Sequence, residues 1–160
     1  MYLWLAGDTF ERWGGDGENR GKVTLDMAPS LEADETADDS DKSFTVPADT
    51  EWTVKWLWVE LVTSADVGDR QLEIQILDNA ADVIGQVRAS VVQAASLTRY
   101  YLLAPHVTEL AAFRDTDYLS TIMPEWILPA GYQVRVWDNN AVAAAADDMV
   151  VQMQVLERTV

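Results

Sequence analysis

The chain holds one histidine, His106, and no cysteine, so the side chains that most often transfer protons or attack carbonyls are nearly absent. A Ser-His-Asp arrangement could be built only around His106, which follows Pro105 at the end of a strand-like segment, and no Gly-x-Ser-x-Gly elbow accompanies it. His106 therefore reads as a surface-loop histidine. Zinc held by His and Cys is excluded by the same counts. Carboxylates are plentiful, 27 in all. Two of them held about 5 to 10 Å apart across a cleft could hydrolyse a glycoside, but a chain so rich in acid always offers pairs, and abundance selects none. Asp34, Glu35, Asp38, Asp39 and Asp41 could gather oxygen ligands for calcium, yet the run lacks the glycine and the closing glutamate of an EF-hand loop. Asp147-Asp148 reads as a charged loop end. Gly14-Gly15-Asp16-Gly17 places an acid where a phosphate would have to approach. These residues imply no catalytic centre, no metal site and no cofactor.

Aromatic side chains offer a different chemistry. Trp52, Trp56 and Trp58 share one segment and one alternation, and Trp126 and Trp137 would lie near them in a folded sandwich. Exposed in a groove, such rings stack on sugars, which makes a carbohydrate-binding module one reading. Burial in a core or at a subunit contact is the commoner fate of tryptophan and is the reading preferred here.

The elements that must position these rings are strands. Leu128-Pro129-Ala130-Gly131 leads into Tyr132 to Trp137, where Tyr132, Val134 and Val136 share a face. Met149 to Leu156 repeats the alternation through Met149, Val151, Met153 and Val155, so all seven of these residues are expected to be buried, the two strands together forming one closing edge, with Trp137 facing the other way. Arg70 to Asp78 alternates with Leu72, Ile74 and Ile76 on one face and Gln71, Glu73 and Gln75 on the other, and Asn79 to Asp82 makes a hairpin-like turn to Val83–Ser90. Trp52 to Val62 is apolar on both faces in its second half, which suits a central strand covered on two sides or exposed to a partner subunit. Ser43–Val46 and Arg99–Leu103 add shorter strands, and Lys22–Met27 suits another. Glu32 to Asp41 reads as a solvated loop, and Val107 to Met123 as a long loop with a helical turn after Thr108. About eight short strands separated by turns predict an all-β antiparallel sandwich of the jelly-roll type. Residues 1–42 form an N-terminal arm and acidic loop, and residues 43–160 the sandwich domain.

Composition sets outer bounds. At 160 residues, 49% of them hydrophobic, the chain can bury a core as a single domain. The net charge of -16 repels phosphate backbones and anionic lipid, which argues against nucleic acid and membrane partners and suits docking on a basic protein surface. No apolar run reaches the roughly 18 to 20 residues that cross a bilayer, and a soluble protein is expected.

Several segments carry a family resemblance: Val46-Pro47-Ala48 before the Trp-rich strand, Thr63-Ser64-Ala65-Asp66-Val67-Gly68-Asp69-Arg70-Gln71-Leu72, Leu97-Thr98-Arg99-Tyr100-Tyr101, Leu128-Pro129-Ala130-Gly131-Tyr132 and Asp147-Asp148-Met149. Together the region from Val46 to Glu157 resembles small structural proteins of tailed bacteriophages. The resemblance implies a virion protein without catalytic residues: a decoration or cement subunit on the capsid surface, or a part of the neck or tail. It implies homo-oligomers, trimers foremost, in contact with the major capsid protein or other virion proteins. The candidate interface residues are Tyr2, Trp4, Trp56, Trp58, Trp126 and Trp137, the first two on an arm expected to order on a neighbouring subunit.

Overall fold

The computed structural model describes residues 4–6, 9–11, 22–24, 27–38, 41–107, 117–138 and 147–160. Near the N-terminus β1 (Trp4–Ala6), β2 (Thr9–Glu11) and β3 (Lys22–Thr24) form a three-stranded antiparallel sheet in the order β1-β2-β3. The remaining strands are β4 (Met27–Asp38), β5 (Lys42–Thr45), β6 (Thr50–Val62), β7 (Leu72–Leu77), β8 (Val83–Arg88), β9 (Thr98–Ala104), β10 (Tyr118–Ile122), β11 (Ile127–Leu128), β12 (Gln133–Asp138) and β13 (Asp148–Thr159). No described helix is long and apolar enough to cross a membrane.

These strands form two sheets. The larger runs β10-β9-β6-β13-β4, with β11 also on β6, and the smaller runs β5-β12-β7-β8. Setting aside the short inserts β10 and β11, the sandwich strands in chain order are β4, β5, β6, β7, β8, β9, β12 and β13. The first pairs the last, the second the seventh, the third the sixth and the fourth the fifth, all antiparallel. That nesting is one long antiparallel ribbon rolled up, and the contacts β6–β13 and β7–β12 close the roll. The fold is an all-β jelly roll.

Alternation builds the core between the sheets. Leu57, Val59 and Leu61 of β6, Tyr101 and Leu103 of β9, and Met149, Val151, Met153 and Val155 of β13 face Leu72, Ile74 and Ile76 of β7 and Val134 and Val136 of β12; every one of these side chains is buried. Tyr132 is the exception among the residues expected inside: it is half-buried and packs on the rim of the cluster. The phase of β6 changes at Lys55, because Gln154 faces Trp56 while the next residue, Val155, faces Val54. This bulge lets Trp52 and Val54 point inward with Leu57 and sends Trp56 and Trp58 to the opposite face.

Four readings of the sequence change. Residues 32–38 are strand, not loop: β4 pairs along β13, and its carboxylates are tolerated because the strand lies on the sheet edge. The two C-terminal strands do not pair; β12 and β13 lie in different sheets, and β13 runs between β6 and β4. The polar face of β7 is covered, since Glu73 and Gln75 are buried and Glu73 binds Arg88 of β8 at 2.5 Å. Within the expected loop 107–123, residues 118–122 form β10, parallel to β9, while the helical turn expected after Thr108 lies outside the described residues.

Candidate interaction face

The outer face of the larger sheet is built by the side chains that alternate away from the core. Register places Trp58 opposite Leu102, Glu60 opposite Tyr100, and Gln152 and Gln154 opposite Trp58 and Trp56. On the edge, Tyr118, Ser120 and Ile122 stand beside Tyr100, Leu102 and Ala104. Buried residues of β6, β9 and β13 thus have outward neighbours that are themselves mostly apolar. Tyr118, Ile122 and Leu102 remain 51%, 68% and 37% exposed, and Trp56, Trp58 and Tyr100 are half-buried. Trp56, Trp58, Leu102, Ala104 and Gln152 line an open groove of about 730 Å³.

The aromatic rings form a row across three strands. Trp58 and Tyr100 have centroids 6.0 Å apart at 21°, and Tyr100 and Tyr118 4.6 Å apart at 23°. Two rings lying flat side by side would be about 6.5 Å apart, two ring radii plus carbon contact. Tyr100 and Tyr118 are therefore stacked face to face. Glu60 raises the Tyr100 hydroxyl above its ordinary titration range, with burial, Tyr118 and Asp117 adding to the effect. The indole of Trp56 donates from Nε1 to Gln154 Oε1 at 2.8 Å, fixing its orientation.

Beyond Glu60, which lies within this face opposite Tyr100, further charge lies at its borders. Gln152 Nε2 donates to Glu35 Oε1 on β4 at 2.9 Å, and β4 also carries Glu32, Asp34 and Asp38. Lys42 of β5, 1% exposed, reaches from the smaller sheet to Asp38 Oδ1 at 2.6 Å and the Thr36 carbonyl at 2.9 Å, tying β4 to the sandwich. At the other border Lys55 and Glu125 pair at 2.6 Å, and that contact holds the Glu125 carboxyl below its ordinary range.

Of the residues expected at an interface, Trp56 and Trp58 are brought together on this face. Trp126 instead packs half-buried against the core. Trp137 lies on the outer face of the smaller sheet under the Arg135 guanidinium, 4.6 Å above its ring. Tyr2 lies outside the described residues, as does the side chain of Trp4, whose backbone belongs to β1. His106 is exposed in a shallow groove of about 650 Å³ with Pro105, Ile122, Met123, Pro124 and Glu125; among the described residues no hydroxyl or thiol lines it. Nor does any group of three or more His, Asp or Glu among the described residues make a metal-binding cluster. Sequence reasoning missed Tyr100, Leu102, Tyr118 and Ile122. The signal for the first two was present: Tyr100 and Leu102 alternate with Tyr101 and Leu103, so an apolar residue falls on both faces of β9.

No protein-family model and no curated protein sequence matches the chain. Among solved structures, the Tobacco streak virus coat protein aligns over 82% of this chain and 88% of its own, at 7% identity and a TM-score of 0.34. A chain of infectious bursal disease virus, Gx strain, aligns over 96% of this chain but only 38% of its own, at 11% identity and a TM-score of 0.31. A CocE/NonD family hydrolase from Staphylococcus aureus aligns over 95% and 41%, at 13% identity and a TM-score of 0.28. Overlaps this loose carry no weight for function, and the jelly-roll assignment rests on the strand pairing.

Proposed function

We propose that this chain is a non-enzymatic structural subunit of a virus particle, a decoration or cement protein that assembles as a homo-oligomer, trimers foremost, on the capsid surface. The class comes from the resemblance to small phage structural proteins. The observation in the fold that supports it is the outer face of the larger sheet, where Leu102 of β9 and Tyr118 and Ile122 of β10 stay exposed beside the half-buried Trp56, Trp58 and Tyr100, on a chain of net charge -16. Monomeric proteins seldom leave so continuous a patch open unless something binds it. The acidic edge at β4 suits the basic groups of a shell protein. A subunit that binds only the closed lattice stabilises it by mass action.

Quantitative mass spectrometry of purified particles tests this reading. A shell protein occurs in hundreds of copies and a neck or tail ring in about a dozen, from the symmetry of such assemblies; absence of the chain from particles rejects both. Carbohydrate binding is the second reading, supported by Trp56 and its bonded Gln154 beside the groove. Against it, Tyr100 and Tyr118 spend their facing surfaces on each other rather than on a sugar. Binding on a glycan array that disappears in Trp58→Ala would favour the sugar reading.

A further inference from the structure

We propose that the end of the sandwich formed by the β6–β7 and β8–β9 loops is a preorganised docking surface for a basic protein partner, with Val67, Val91 and Val92 as its apolar anchors and Asp66 as a rim charge. This deepens the structural-subunit reading and rests on it. Val67 is 96% exposed, more than any other large apolar side chain among the described residues. A single exposed valine is ordinary, but this one stands on a fixed loop. The carbonyls on either side of it, those of Asp66 and Gly68, accept from Arg70 Nη1 at 2.8 and 2.7 Å. The second loop is joined to the same arginine, because the Arg70 amide donates to the Gln93 carbonyl at 2.9 Å and the Gln93 amide to the Arg70 carbonyl at 2.7 Å. Gln93 is itself fully buried, and its Nε2 donates to the carbonyls of Leu61 and Leu97. Thr63, at the end of the first strand, donates to the Ala94 carbonyl at 2.7 Å. Val91 and Val92 immediately precede Gln93 and are 37% and 47% exposed. The exposed valines thus sit within a few residues of one buried polar network, on two loops that it locks together. Locked loops lose little freedom on binding, so the gain from burying their side chains is not offset by ordering.

Charge selects the occupant. The charged residues of the two loops are Asp66, Asp69 and Arg70, and Arg70 lies inside, paired with Asp147. Arg99, at the base of the second loop, is held on the Val92 carbonyl at 2.9 Å. Solvent therefore meets apolar side chains flanked by the exposed Asp66 and Asp69, on a chain of net charge -16. Such a surface repels nucleic acid, anionic lipid and a second copy of itself, and it fits an apolar recess rimmed by lysine or arginine.

Binding of the purified full chain to virus particles that lack it, measured across protein and salt concentrations, tests the proposal. Val67→Ser and Val92→Ser should each weaken binding by at least about tenfold. Asp66→Asn should weaken it at low salt and reduce its salt dependence. Leu31→Ser, at a site 57% exposed on the acidic β4 edge, is the control and should bind as the wild type does. Far-ultraviolet circular dichroism verifies that every variant is folded, and amide relaxation of Asp66 to Gly68 should match that of β6 on the nanosecond timescale. Folded valine variants that bind as the wild type does, a loss confined to Leu31→Ser, or loops that move freely on that timescale would overturn the proposal. A wild-type chain that binds no particle rejects the virion reading and this proposal with it, whereas binding that only the β4 variant weakens keeps that reading and rejects this proposal alone.

Discussion

Arg70 and Asp147 are joined by two hydrogen bonds, Nε to Oδ2 at 2.6 Å and Nη2 to Oδ1 at 2.9 Å. The guanidinium is fully buried, and its other donors reach the carbonyls of Asp66 and Gly68 and the Ser64 hydroxyl. Asp147 Oδ1 also accepts from the Ser64 amide at 2.7 Å. One ion pair thus clasps the loop after β6 to the start of β13, regions separated by more than seventy residues of chain. Removing Arg70 leaves the mostly buried Asp147 carboxylate without its counter-charge and with only Ser64 as a partner. Arg70→Ala should therefore lower stability by about 3–5 kcal/mol. Urea unfolding at neutral pH measures it, and a change within the spread of ordinary surface substitutions would show that the clasp is dispensable.

The same clasp sets a pH dependence. Burial alone would raise Asp147, but bonds from Arg70 and Ser64 outweigh it and hold the carboxyl below its ordinary 3.8. Its contribution is complete above pH 3.8 and is lost as pH falls through the depressed folded value. Asp138 behaves oppositely: burial and the charge of Asp147 raise it above 3.8. Its ionisation disfavours the fold at neutral pH, and protonation through that raised value relieves the strain. Urea midpoints should therefore rise from neutral into mildly acidic pH and then fall below about 3.8. Asp138→Asn should flatten the rise while keeping the acid loss. A curve with the same rise in that variant would remove Asp138 from the account.

What the sequence showed, and what it hid, follows from where each signal is local. The alternation of Val134 and Val136, and of Met149 to Val155, depends only on neighbours in the chain, so burial was readable there. Strand partners are not local: β12 and β13 sit on opposite sheets because the ribbon folds across the core between them. β4 was hidden by its acids, which an edge strand tolerates and a central one would not. The interaction face was half legible. Trp56 and Trp58 stood out by type, but the row that includes Tyr100 and Tyr118 depends on β10 pairing parallel to β9 across a segment without strand-like alternation.

Two glycines should respond to alanine in opposite directions. Gly131 has φ +82°, and a Cβ there would lie 2.6 Å from Asn79 Oδ1. Both strain and contact oppose Gly131→Ala, with an expected loss of at least about 1 kcal/mol. Gly85, in β8, has no such φ and would place its Cβ no closer than 3.8 Å to Ile76. Gly85→Ala should be neutral or stabilising by up to about 1 kcal/mol, because it reduces the freedom of the unfolded chain. Thermal unfolding of the pair decides it, and equal losses would mean that the backbone at Gly131 has no special demand.

Leu102 and Leu103 are adjacent in β9 yet belong to different environments. Leu103 is fully buried opposite Leu57, whereas Leu102 stands beside Trp58 and Ser120 and is 37% exposed. Leu103→Ala opens a cavity between the sheets and should lower stability by about 2–5 kcal/mol. Leu102→Ala removes a side chain with solvent on one side and should change the stability of dilute, unassembled protein by less than about 1 kcal/mol. Its cost should appear instead when copies assemble, because the truncated side chain is then missing from a buried contact. Unfolding measured at low and high protein concentration separates the two. A Leu102→Ala loss as large as that of Leu103→Ala at high dilution would mean that the outer face is already covered within a single chain, and would leave nothing there for a partner to bury.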